Sequence, residues 1–91
     1  MSAMFRGAVS FNQDIGGWDT SNVRRMSRMF SRARAFNKYI GGRDGSWNTR
    51  RVTDMFEMFE GAVSFNQALH WDVSSCRNRQ YMFHGSNGRL I

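Results

Sequence analysis

Residues 4–28 read MFRGAVSFNQDIGGWDTSNVRRMSR, and the same line returns twice more along the chain. Residues 29–57, MFSRARAFNKYIGGRDGSWNTRRVTDMFE, repeat it with four residues, Arg43 to Ser46, inserted. Residues 58–81, MFEGAVSFNQALHWDVSSCRNRQY, repeat it with one residue missing before the Trp, and residues 82–91, MFHGSNGRLI, begin a fourth copy. The Met-Phe landmark recurs at spacings of 25, 29 and 24 residues. A unit this short cannot bury its own apolar residues, but stacked copies place like on like in a continuous core.

Aligned on Met-Phe, each column holds one chemical type. Phe11, Phe36 and Phe65 form a column, as do Asn12, Asn37 and Asn66. Ile15, Ile40 and Leu69 match, followed by Trp18, Trp47 and Trp71, and then by Asp19, Asn48 and Asp72. Val23, Val52 and Cys76 share a column, and Met26 pairs with Met55 but meets Arg79 in the third unit. These columns lead us to expect one domain over 1–91, an α/β repeat solenoid of leucine-rich-repeat-like type with about three coils. Repeats of 20–29 residues carry one short strand plus one helix or tight helical turn per coil. The parallel strand is expected at Asn22–Arg25, Arg51–Asp54 and Ser75–Asn78. The helical turn is expected at Ser27–Arg34, Phe56–Val63 and Tyr81–Gly85, because Met26, Met29, Phe30 and Ala33 fall on one helical face. The pairs Gly16-Gly17 and Gly41-Gly42 mark turns that need unusual backbone angles, with the Arg43–Ser46 insertion in a loop beside the second.

The 91 residues hold no proline, eight Phe, three Trp and one cysteine, with 41% apolar and 22% charged residues. That is the composition of an ordered domain. A lone Cys76 excludes an internal disulfide framework and a cysteine-based zinc site. No run approaches the length needed to span a bilayer, and MSAMFRGAVSFNQ shows neither the basic nor the long apolar region of a secretory signal.

The pattern MFxxAxxFNQDIxxWDTSxVxxM, across residues 4–26, resembles the short repeat of BspA-like surface proteins, and the resemblance runs over nearly the whole chain. It implies a leucine-rich-repeat-like solenoid and, for many members, adhesion or protein–protein contact at a cell surface.

Charge is uneven. Between Arg24 and Arg51 lie nine cations and one acid, Asp44, whereas Val52 to Cys76 holds four acids and no Lys or Arg. Register places Arg25 over Asp54 and Arg28 over Glu57, so ladder salt bridges are expected there, each worth about 0–1 kcal/mol. Arg24, Arg32, Arg34, Lys38, Arg43, Arg50, Arg51 and Arg77 remain as a candidate partner-binding surface. Such a surface suits an acidic protein, a lipid headgroup or a nucleic-acid backbone, and it equally suits a solvated face that keeps the chain soluble.

The remaining chemistry-bearing residues read as structure. His70 and His84 lie in different columns, with His84 over Glu60, and no ligand cluster for a metal is visible. Cys76 replaces Val in a core column and reads as a small hydrophobe. The Asn column reads as a ladder of buried amides, the Asp19, Asn48, Asp72 column as turn capping, and the Trp column as core packing. No catalytic residue, metal or cofactor is assigned, so the chain is not expected to be an enzyme. The function expected is a non-catalytic protein–protein interaction or scaffolding module. One alternative is a small accessory subunit of a large assembly with its ends covered by neighbours, in peripheral contact with a membrane complex if that assembly is one. A weaker alternative is a basic nucleic-acid-binding protein.

Overall fold

The Met-Phe-x-x-Ala stretch decides how each unit folds, and it does not form a helix. The structure, a computed structural model, describes residues 1–41 and 47–91. In residues 26–33, the N–H groups of Met29, Ser31 and Ala33 donate to carbonyls three residues back, on Met26, Arg28 and Phe30, at 3.0–3.2 Å. The alternate N–H groups, on Met26, Arg28, Phe30 and Arg32, leave the unit and donate to Asp54, Phe56, Met58 and Glu60 of the next, at 2.7–2.9 Å. An α-helix needs every donor directed four residues back along its own segment. Here half the donors close β-turns and half bind the neighbouring unit, so helical bonding has nothing to propagate on.

Backbone angles complete the reason. Arg28 and Arg32 sit at φ 56° and 59°, each at the third position of a turn, where a type II turn requires positive φ. The same two positions recur in every unit, as Ala3, Glu57 and Tyr81 in the first series and Gly7, Gly61 and Gly85 in the second. Glycine adopts this region freely, whereas another L-residue there costs about 1–2 kcal/mol. The second series is glycine except at Arg32, so the sequence carried this signal.

The donor pattern repeats up the stack. Ala3, Phe5 and Gly7 donate to Ser27, Met29 and Ser31, and Met55, Glu57, Phe59 and Gly61 donate to Asn78, Gln80, Met82 and His84. Through the Met-Phe segment each unit therefore gives its N–H groups to the carbonyls of the unit that follows, whereas Thr53, Arg77, Asn87, Arg89 and Ile91 donate back to the unit before. A short two-stranded parallel sheet, β1 (Ala68–Leu69) and β2 (Arg89–Leu90), joins the third unit to the tail, with Ala68 opposite Arg89 and Leu69 opposite Leu90.

This backbone frame superimposes the side-chain columns. Phe5, Phe30, Phe59 and Phe83 form one ladder with ring centroids 5.3–5.5 Å apart, and Phe11, Phe36 and Phe65 form a second at 5.7–5.8 Å. Within a unit the two ladders touch, at 4.0–4.3 Å. Trp47 lies parallel to Trp71 at 5.8 Å. Met26, Met29, Met55, Met58, Val52 and Leu69 fill the remaining core and are fully shielded.

Several expectations are corrected here. The α/β leucine-rich-repeat-like solenoid is not the fold. Among the described residues there is no helix, and β1 and β2, at two residues each, are the only strands. The three expected strand segments contribute isolated parallel bridges, Arg25 to Asp54 and Asp54 to Asn78, because turns close immediately on either side of them. The molecule measures 28 × 25 × 23 Å, a compact globule with no long axis. Stacked backbones lie about 4.8 Å apart, so a few layers build a depth no greater than the width of a single layer. Gly16, Gly17 and Gly41 do not use positive φ. A Cβ at Gly16 would press on the Tyr39 carbonyl at 3.0 Å, whereas one at Gly41 would meet only the ring of the exposed Tyr39 side chain. Gly42 and the Arg43–Ser46 insertion lie outside the described residues.

Three stability outcomes follow from this packing. Trp47 is 2% exposed and its indole N–H reaches the Ile15 carbonyl at 2.8 Å. Trp47→Ala is expected to cost about 3–5 kcal/mol in urea unfolding. Gly61→Ala, at φ +70° with Arg32 Cγ 3.2 Å from the new methyl, is expected to cost about 1–2 kcal/mol. Gly17→Ala, which meets open space, should leave the urea midpoint within about 0.5 kcal/mol of the parent.

Candidate functional site

The polar columns are tied into the stack from one unit to the next. Asn12 Oδ1 accepts the backbone N–H of Asn37 at 2.8 Å, and Asn37 Oδ1 accepts that of Asn66 at 2.9 Å. Gln67 Nε2 and Arg89 Nη1 donate to Asn37 Oδ1 and Asn66 Oδ1, both at 2.9 Å. The ladder forms, but on the surface: Asn12, Asn37 and Asn66 are exposed, not buried. Their carboxamides extend the backbone ladder where the chain turns from Phe to Ile.

Asp19, Asn48 and Asp72 each hold a turn by accepting the N–H two residues on, from Ser21, Arg50 and Ser74, at 2.9–3.0 Å. The next column, Thr20 and Thr49, is buried and donates its hydroxyls to Asn48 and Asp72 carbonyls of the following unit. The indole N–H groups run the other way, from Trp47 to Ile15 and from Trp71 to Ile40, at 2.8 and 2.7 Å. Phe36, Phe65, Trp47 and Trp71 are buried, while Phe11 and Trp18, in the first unit, are half-buried.

The cations predicted as a partner surface do not converge on one patch. Arg24 and Arg77 share a column on either side of Thr53, whose N–H donates to the Arg24 carbonyl and whose carbonyl accepts the Arg77 N–H. Arg50 and Arg51 lie in the adjacent columns of Ser21 and Asn22, and Arg51 Nη1 is held by Asn22 Oδ1 at 2.8 Å. These four exposed arginines form one edge, beside a cleft of about 430 Å³ lined by Ser21, Asn48, Asp72 and Ser74. Arg32 and Arg34 belong to the turn after Phe30, where Arg32 Nε stands 3.7 Å from Glu60 Oε1, and Lys38 belongs to the segment after Phe36; none of the three lines the cleft. Arg43 lies outside the described residues.

Pairing differs in detail from expectation. Arg28 Nε meets Glu57 Oε1 at 2.8 Å, and its guanidinium lies 5.2 Å from the Phe56 ring centroid. No ion pair forms between Arg25 and Asp54; Asp54 Oδ1 instead accepts the Phe56 N–H at 3.0 Å. Glu60 Oε1 accepts from Ser31 Oγ at 2.9 Å and stands 3.7 Å from Arg32 Nε, contacts that Ser31 in the Glu60 column would have suggested. His84 packs edge-on to Tyr81 at 6.0 Å and makes no ion pair with Glu60.

Little reactive chemistry is assembled. Among the described residues no three His, Cys, Asp or Glu side chains are placed to hold a metal. Cys76 is half-buried, and burial pushes its thiol above the ordinary value, against a smaller opposing pull from its Asn78 contact. A thiol so placed is protonated at neutral pH and is a weak nucleophile. Hydrogen bonds from the Ser74 hydroxyl and backbone hold Asp72 below its ordinary 3.8, and the Ser21 hydroxyl and backbone do the same for Asp19. A carboxyl whose folded pKa is depressed contributes stability above its unfolded pKa and loses it as pH falls through the folded one. Asp72→Asn keeps the turn, as Asn48 shows, and removes the titration. Melting temperature measured against pH should therefore fall more steeply below 3.8 in the parent than in Asp72→Asn.

Comparison with known proteins gives one match. No curated protein and no solved structure matches this chain. The model of a family described as "Mycoplasma protein of unknown function, DUF285" matches residues 1–89, which takes in all three full units and most of the tail. With nearly its whole length matched, the chain belongs to the DUF285 family.

Proposed function

We propose that this chain is a non-catalytic protein-binding or scaffolding module that meets an acidic protein partner along the edge formed by Arg24, Arg50, Arg51 and Arg77. One observation carries the reading. The Asn, Asp and Thr columns are engaged in unit-to-unit or turn bonds, which leaves the exposed cations as the charged groups of this edge available for contact. The Asn22 contact fixes the Arg51 guanidinium over the edge, which lowers the ordering entropy of a partner contact. The resemblance of the units to BspA-like repeats supports the same reading and adds contact at a cell surface. No helix among the described residues is long and apolar enough to cross a membrane.

A second reading, an accessory subunit whose neighbours cover the ends of the stack, is favoured by the end units. Phe5, Phe11 and Trp18 at one end, and Phe83 and Leu90 at the other, are half-buried, whereas Phe30, Phe36, Phe59 and Leu69 between them are fully shielded.

Fluorescent polyglutamate and a short DNA duplex test the edge by anisotropy at matched salt. Polyglutamate is expected to bind, and the triple variant R24E/R51E/R77E to weaken it by about tenfold with an unchanged melt. Tighter, steeply salt-dependent binding of the duplex would favour the nucleic-acid reading instead. Binding of neither at low salt would remove the arginine edge as a docking surface.

A further inference from the structure

The direction of hydrogen bonding makes the two ends of the stack different and complementary. Since the Met-Phe segment of each unit gives N–H groups to the next, that segment has carbonyls left over in the first unit and N–H groups left over in the last. Among the described residues, the carbonyls of Ser2, Met4 and Arg6 accept no hydrogen bond. They stand in the columns of Ser27, Met29 and Ser31, which accept from the unit before them. At the other end the N–H groups of Tyr81, Phe83 and Gly85 donate to nothing described. Their column-mates Glu57, Phe59 and Gly61 all donate onward.

Side chains at the ends match in the same register. Trp18 lacks the partner that Trp47 and Trp71 have, a carbonyl in the Ile15, Ile40, Leu69 column of the preceding unit. Leu90 occupies that column in the tail, paired with Leu69, and its carbonyl accepts nothing described. Phe83 ends the first Phe ladder and half-buried Phe5 begins it. The charges complement as well. Arg89 stands opposite Ala68, and Ala68 belongs to the column that starts at Asp14, so the column is basic at one end and acidic at the other.

We propose that the chain associates with a second copy of itself head to tail, the Tyr81–Leu90 end of one copy seated on the Ser2–Trp18 end of the next. Tyr81, Phe83 and Gly85 N–H groups then donate to Ser2, Met4 and Arg6 carbonyls of the neighbour. Phe83 stacks on Phe5, the Trp18 indole donates to the Leu90 carbonyl, and Arg89 faces Asp14. Exposed parallel edges of this kind are templates for strand-like pairing. The contact is heterologous, so each addition exposes a fresh end and growth continues unless the rotation closes a ring. It uses the ends of the stack and leaves the arginine edge free.

Sedimentation velocity on the 91-residue chain, from low micromolar to several hundred micromolar, tests this with Asp14→Lys and Arg89→Asp, both at exposed positions. The parent is expected to form species larger than a dimer whose mass rises with concentration. Either single variant places like charges together and should weaken association by about tenfold, and the double swap D14K/R89D should restore it. An equimolar mixture of the two single variants should restore concentration-dependent growth, because the two end pairings in four that join one variant to the other are both acid on base. A strictly monomeric parent, association indifferent to both variants, or growth that stops at a symmetric dimer would each overturn the proposal.

Discussion

The columns of side chains in this protein are in register because backbone hydrogen bonds join each unit to the next, most regularly through the Met-Phe segments. The bonds are short, 2.7–3.0 Å through the Met-Phe segments, and they recur at every second residue there. Each contributes only about 0.5–1.5 kcal/mol net, but together they hold neighbouring units at a fixed separation. At that separation Phe stacks on Phe, Trp on Trp, and each Asn reaches the amide of the next. Without the backbone frame, none of these pairs would be aligned. Aromatic pairs then add about 0.5–1.5 kcal/mol each beyond the area they bury.

The same frame explains why so much hydrogen bonding coexists with so little regular secondary structure. Alternation between a turn bond and an inter-unit bond demands positive φ at every fourth residue of the Met-Phe segment, at Arg28 and Arg32 or at Glu57 and Gly61. A helix cannot include such residues, and a strand cannot run through turns. The apolar spacing at Met26, Met29, Phe30 and Ala33 fits a helical face equally well, because it records only which side chains point inward. The overlapping turns of residues 26–33 point the same four side chains at the core. Periodicity therefore misled, while the Gly7, Gly61, Gly85 column held the information that would have corrected it.

Directionality also divides interior from ends. Interior units have both faces covered, so Met26, Met29, Phe30, Phe36, Met55, Met58 and Phe59 are fully shielded. The first and last units keep one open face each, and residues of the same columns, Phe5, Phe11, Trp18 and Phe83, are half-buried there. What a residue does thus depends on its layer as much as on its column. The exposed polar ridges follow another logic. Asp19 and Asp72 are drawn into local turns, Arg28 and Glu57 into a ladder pair, and the edge arginines are left in solvent.

Side-chain identity along the chain defines the repeating unit and the membership of its columns, because it repeats wherever like must pack on like. It also marks Trp47, Trp71 and most of the Phe as core, since no other role repeats so strictly. How the backbone travels between those side chains is settled by the packing of one unit on the next, because φ is not recorded in an apolar pattern. That packing alone decided that the Asn ladder is exposed, that Asp54 holds a turn and does not pair with Arg25, and that Glu60 answers to Ser31 and Arg32. The scatter of the basic residues around the unit was likewise invisible in the linear chain. Only stacking places Arg24 and Arg77 in one column on either side of Thr53, and Arg51 against Asn22.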